Sequence, residues 1–104
     1  MPQPFAGYRV IDLTHVLAGP FASYQLAVLG AEVIKIEPPG CPDQVRETGS
    51  SPAWGKRLMN TNYLTQASNK RAMTLNLASA EGRGVLLRLV NTADVLVENY
   101  RAGA

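Results

Sequence analysis

The stretch from Tyr8 to Gly40, YRVIDLTHVLAGPFASYQLAVLGAEVIKIEPPG, constrains the fold of this chain more than any other. An apolar run rich in β-branched residues (Val10, Ile11, Leu13) stops at Thr14-His15 and predicts a strand over about Arg9 to Leu13. A turn through Ala18-Gly19-Pro20 follows. Gly19 suits a helix cap, and Pro20 suits the first helical position, where its missing N–H costs nothing. Phe21, Tyr24 and Val28 then share one helical stripe, flanked by Ala22, Leu26 and Leu29. With no charged residue between His15 and Gly30, this helix is expected to be buried on more than one side. Gly30 ends it, and Val33 to Ile36 predicts a second strand that Pro38-Pro39-Gly40 stops. Such a unit places a helix N-terminus at the carboxyl end of a strand, where α/β folds bind ligands.

Beyond Pro39 the periodic signal fails until Ser68. Pro42, Gly49, Ser50, Ser51, Pro52 and Gly55 mark turns. A segment of this length reads as a lid or binding loop, with a short helix over Leu58 to Thr65. Trp54 is its anchor or a ligand contact. Order returns at Asn69-Lys70-Arg71, and the alternation from Ala72 to Leu77 predicts a third strand. Ser79 is placed to cap a helix with Glu81 in its first turn, and Val85, Leu86, Leu89 and Val90 give that helix one apolar face. Arg83 and Arg88 fall outside that face, and Gly82 and Gly84 each weaken the helix by ~1 kcal/mol relative to alanine. Val95 to Val97 is the last strand. The pattern is β-α-β, long loop, β-α-β. It predicts an α/β fold, a Rossmann-like parallel sheet of about four strands with crossover helices, in one domain over residues 1–104. Two helices cannot cover both faces of such a sheet. The expectation is an incomplete doubly wound domain, truncated or split, whose cover comes from a second copy or complementary chain, a swapped segment, or the remainder of a larger protein.

Composition narrows the function classes. A net charge of +2 from scattered basic residues argues against nucleic acid as a partner. No apolar run is long enough for a signal peptide or membrane span. The lone Cys41 fits a reducing cytoplasm, and with His15 it makes no metal-ligand set. Neither G-x-G-x-x-G nor G-x-x-x-x-G-K-[ST] follows the first strand, so a dinucleotide reading rests on Glu37 alone. The strand ends carry instead the backbone amides of Leu17 and Ala18, the Asn69-Lys70-Arg71 cluster, and Asn99-Tyr100-Arg101. Cations attract phosphate, and asparagine and tyrosine fix a ribose or an amide arm. Equally, Lys70 and Arg71 read as solvated charges leading into a strand, and both readings stand at this point. Asp12, inside an apolar run, either faces the strand's exposed side or sits near the ligand end; with no partner in sequence, the exposed side is the preferred reading.

The phrases RVIDLTHVLAGPFASYQLAVLGAEVIKIEPPG, NKRAMTLNLASAEGR and ADVLVENYRAGA resemble the amino-terminal part of the class III CoA-transferases. That family includes formyl-CoA and carnitine CoA-transferases and is related to the α-methylacyl-CoA racemases. THVLAGP and VENY favour the transferase branch. The resemblance runs from about Gly7 to the end of the chain. It implies a CoA-binding domain that takes CoA or acyl-CoA and no metal. By analogy the contacts fall on Leu17, Ala18 and Pro38, on Leu75, Asn76, Leu77 and Ala78, and on Asn99, Tyr100 and Arg101. Some members carry an arginine where Pro38 stands and a lysine where Ala78 stands, so Lys70, Arg71 or Arg101 are the residues left to compensate. The family's catalytic aspartate lies downstream of every matched phrase. It attacks the acyl-CoA thioester to give an anhydride and then an aspartyl-CoA thioester. Its members also form interlocked dimers. The resemblance therefore implies a domain that binds CoA and does not transfer it alone; the alternative is a non-catalytic, oligomerising interaction domain derived from the same family.

Overall fold

The computed structural model describes residues 2–104. Its strands are β1 (Arg9–Asp12), β2 (Glu32–Glu37), β3 (Arg71–Thr74) and β4 (Val95–Val97), and its helices are α1 (Ala18–Val28), α2 (Pro52–Lys56), α3 (Thr61–Ala67) and α4 (Ala80–Val90). All strand pairs are parallel, in the order β3-β2-β1-β4. The chain thus steps outward from β1 through β2 to β3, then crosses back to lay β4 on the other side of β1. That reversal makes β1 and β4 the topological switch point, whose crevice at the carboxyl ends is the usual ligand position in open α/β sheets.

Alternation along the strands divides the core in two. Val10 and Val33 pack with Ala27 and Ala31 beneath α1. Ile11, Leu13 and Ile36 point to the opposite face, where Met73, Leu75, Leu86 and Leu89 join them beneath α4. Helix α4 begins as its residues predict, with the Ser79 hydroxyl accepting from the Gly82 N–H at 3.0 Å, a cap that contributes ~1 kcal/mol.

Helix α1 differs from its expected form. It starts at Ala18 after Leu17, which offers no side-chain cap, so Pro20 sits in the third helical position. Its buried side is Pro20, Ser23 and Ala27, while Phe21 is 55% exposed and Val28 also faces outward. Small residues at this spacing let the helix lie close on the sheet, and the large apolar ones are left outside.

The segment after Pro39 also departs from expectation. It is not a structureless lid. A 3₁₀ turn (Gln44–Glu47), α2 and α3 fill it, and Asp43 and Asn60 cap two of these starts with their side chains. The helix expected over Leu58 to Thr65 begins only at Thr61: Met59 lies in the turn between α2 and α3, and Tyr63 is buried within α3. Trp54 does not anchor the segment, since its ring is 46% exposed with Arg57 stacked on it. Instead α3 packs on α1 and on the 3₁₀ turn. Exposed apolar surface persists at Val95 and Leu96 on the edge strand β4. Among the described residues, no helix is long and apolar enough to cross a membrane.

Candidate functional site

On the α1 side, the carboxyl end of the sheet is closed by buried charge. Asp12, with no exposed surface, accepts hydrogen bonds from the Ser23 hydroxyl (2.7 Å), the Thr14 amide (2.9 Å) and the Thr14 hydroxyl. Lys70 reaches it across 58 residues of sequence at 2.9 Å. Burial alone would raise the Asp12 pKa, but the hydrogen bonds from Ser23 and Thr14 and the Lys70 ammonium together hold it below the ordinary aspartate value. Lys35, equally buried, donates to Asp43 Oδ2 and to the Thr14 carbonyl oxygen, each at 2.9 Å. Glu37 takes a two-pronged contact from Arg46 (2.6 and 2.8 Å), and Arg46 also donates to the Tyr63 hydroxyl at 2.7 Å. Burial opposes ionisation of Glu37 too, and the Arg46 guanidinium overcomes it. Among the described residues, no buried side-chain nitrogen or oxygen lacks a partner.

This network shapes the turn after β1. Asp43 accepts from the Val16 N–H at 3.1 Å, and the Gln66 side-chain amide donates to the Val16 carbonyl oxygen. Val16 is thereby held at φ +73°, a left-handed conformation that is strained for a β-branched residue. The adjoining turn is tied to the loop after β4 by Asn99, whose side chain accepts from the His15 N–H (3.1 Å) and donates to its carbonyl oxygen (2.9 Å). Asn99 therefore spans the switch point, and the His15 and Tyr100 rings lie 6.2 Å apart beside it.

The α4 side of the same end is open. A cleft of about 490 Å³ has a floor of Leu13, Ile36, Leu75, Leu77 and Leu86, with Pro38, Asn76, Ala78, Arg83, Tyr100 and Ala104 around it. Glu37 also borders the cleft, but its charge is met by Arg46. Burial and the neighbouring Glu98 raise the Tyr100 pKa, so its hydroxyl is a neutral donor at the cleft wall. The Gly82 backbone sits against the Asn76 carbonyl oxygen so closely that a Cβ would overlap it. This contact fixes the start of α4 against the cleft-lining residues Asn76 to Ala78.

Of the residues singled out from sequence, Pro38, Leu75, Asn76, Leu77, Ala78 and Tyr100 meet in this cleft. Asn99 is adjacent but committed to His15. Arg101 is exposed and not on the cleft wall. Leu17 faces a separate groove with Gln44, Val45 and Thr48, and Ala18 opens α1 beside it. Lys70 does not offer a free charge: its ammonium donates to Asp12, the Pro20 carbonyl oxygen and Ser23, which uses all three protons. Arg71 lies at the amino end of β3 against Glu32, in register with Ile34 and off the cleft wall. Neither reading of Lys70 as a solvated charge nor of Asp12 as an exposed carboxylate holds, because each buries the other. Glu37, engaged by Arg46, has no free oxygen for a ribose, which removes the one residue behind a dinucleotide reading. Sequence reasoning missed Arg83. Its position outside the apolar face of α4 was visible, but not that the first turn of α4 borders the cleft.

The chain is similar to known proteins in sequence and in fold. A succinyl-CoA:glutarate CoA-transferase from Mus musculus is 41% identical over 104 residues, covering 97% of this chain and 22% of the relative. An acetyl-CoA:oxalate CoA-transferase from Acetobacter aceti is 45% identical over 100 residues, covering 96% and 25%. A crystal structure of Rv3272 from Mycobacterium tuberculosis superimposes with a TM-score of 0.83 at 38% identity, covering 97% of this chain and 26% of that one. The chain spans about a quarter of the length of these relatives. The model of CoA-transferase family III matches residues 5–104. This chain belongs to CoA-transferase family III.

Proposed function

We propose that this chain is a CoA-binding domain, and that the cleft between the strand ends and α4 receives CoA or an acyl-CoA. The observation that carries the reading is the convergence of Pro38, Leu75 to Ala78 and Tyr100, from three separate loops, on one apolar cleft at the carboxyl end of the sheet. Apolar floors with a few placed polar groups are the usual form of a small-molecule site. Asn76 and Tyr100 supply those groups. The CoA substrates named for the relatives support the choice of ligand. In this reading, transfer of CoA between an acyl-CoA and a carboxylic acid requires an aspartate nucleophile from polypeptide outside these residues. The exposed apolar residues of β4 and α1 are where further chain, or a second copy, packs. That relatives include an alpha and a beta subunit of a succinyl-CoA–L-malate CoA-transferase supports assembly from more than one chain. The exposed Cys41 suits a reducing compartment such as the cytoplasm.

The rival reading is a non-catalytic interaction domain, favoured by the uncharged Pro38 and Ala78 together with the exposed Phe21 and Leu96. Titration calorimetry of the 104-residue chain with CoA decides between them. Micromolar binding supports the CoA domain, and silence up to millimolar CoA supports the rival. Turnover of succinyl-CoA with a carboxylate acceptor by this chain alone would overturn the assignment of the nucleophile to another segment.

A further inference from the structure

We infer that Arg83 is the anion-binding residue of the cleft and takes a phosphate of the ligand whose apolar portion lies on the floor. This deepens the proposed CoA-binding function and rests on it.

Two charged side chains border the cleft, Glu37 and Arg83, and Ala104 brings a terminal carboxylate to its rim in the 104-residue chain. Glu37 is neutralised by Arg46, and Arg83 is the cationic side chain on the cleft wall among the described residues. The cations that sequence would nominate are off the cleft wall: Lys70 is sealed against Asp12, Arg71 lies at the amino end of β3 against Glu32, and Arg101 is exposed beyond Tyr100. Arg83 has no carboxylate partner among the described residues. Its Nη1 donates to the carbonyl oxygens of Leu77 and Ala78, each at 3.1 Å. Both residues line the cleft, so these bonds set the guanidinium plane at its edge. A guanidinium has five N–H donors in a rigid fork. Two are used here, and the Nε and Nη2 protons meet no protein acceptor among the described residues. A fork held from one side and free on the other is suited to a two-pronged phosphate contact. The contacts with Leu77 and Ala78 mean that little side-chain freedom is lost when the anion arrives.

In CoA the phosphate is either the 3′-monoester or the diphosphate, and 3′-dephospho-CoA separates the two. Calorimetry on the full chain and its Arg83→Gln variant, each checked for folding by circular dichroism, gives the test. The variant is expected to bind CoA about tenfold or more weakly, while pantetheine, which has no phosphate, titrates as it does against the wild-type chain by NMR. If 3′-dephospho-CoA suffers the same loss, the diphosphate is the partner; if it is unaffected, the 3′-phosphate is. Equal CoA affinity in the variant would overturn the role of Arg83 and leave the CoA cleft standing. Equal weakening of pantetheine would reduce Arg83 to a strut for Leu77 and Ala78. Absence of CoA binding by the wild-type chain would sink the cleft assignment and this inference together. Should Arg83→Gln fail to fold, Arg83→Lys keeps the charge and loses the fork: a loss of a few-fold for CoA with none for pantetheine supports the role, and no loss for CoA refutes it.

Discussion

Successive residues of β2 point to opposite faces of the sheet. Lys35 and Glu37 enter a network in which each polar atom has a partner, whereas Ile34 and Ile36 belong to the apolar side that α4 covers only in part. The α1 face at this end is packed shut with ions. The α4 face is an open, oily cleft with Arg83 on its wall, a cation that has no carboxylate partner among the described residues. A buried ion pair contributes little net stability over an apolar packing, yet it specifies which segments meet. Here Lys35 recruits Asp43, and Asp43 in turn fixes Val16. The closed face is thus a frame that holds the turn after β1, and the open face is where a ligand has room. Charge near a ligand cleft is not necessarily charge for the ligand.

The sharpest way to break the frame is to remove one partner. Lys35→Ala strands the buried Asp43 carboxylate and is expected to cost ~3–5 kcal/mol in urea unfolding; a loss below 1 kcal/mol would show that the pair is not a closed contact. Acid attacks the same face more gently. The pKa values of Asp12 and Glu37 are lower folded than unfolded, so their contribution is complete above about pH 4.5 and is lost as pH falls through the unfolded and then the folded values. The urea midpoint should be flat from pH 7 to 5 and drop below pH 4.5; a midpoint that rises on acidification contradicts the assignment. The cleft side is tested by two glycines in one helical turn. Gly82→Ala drives a methyl into the Asn76 carbonyl, with an expected loss of ~1–3 kcal/mol and weakened CoA binding as the cleft wall shifts. Gly84 has nothing near its missing Cβ, so Gly84→Ala should stabilise by ~0.5–1 kcal/mol and leave CoA binding unchanged. Equal effects from both would mean that helix propensity alone governs this turn.

Those two glycines show how far local reasoning reaches. Their cost to an isolated helix is the same, and only the approach of Asn76 makes one of them necessary. The strands, the Ser79 cap and helix α4 were legible because periodicity and capping are local. Segment 39–68 was not, since short helices of one to two turns leave little periodic signal and are stabilised by what they pack on. The cleft residues Leu75 to Ala78 were found through family resemblance, and Tyr100 already by its place after the last strand; their convergence follows from parallel strands in the order β3-β2-β1-β4.

By itself, the sequence determined that Tyr8 to Gly40 forms strand, turn, helix and strand, and that a second such unit follows, because each of these depends on neighbours within a few residues. Only the tertiary structure decided the partners of the charges. Asp12 and Lys70 are 58 residues apart, as are no two groups that a sequence window compares. Coulombic attraction is indifferent to chain separation and strongest where water is excluded, so the fold had to bury Asp12 before its partner could be known. Arg83 became a candidate at the cleft only once Lys70 was found sealed against Asp12 and Arg71 against Glu32.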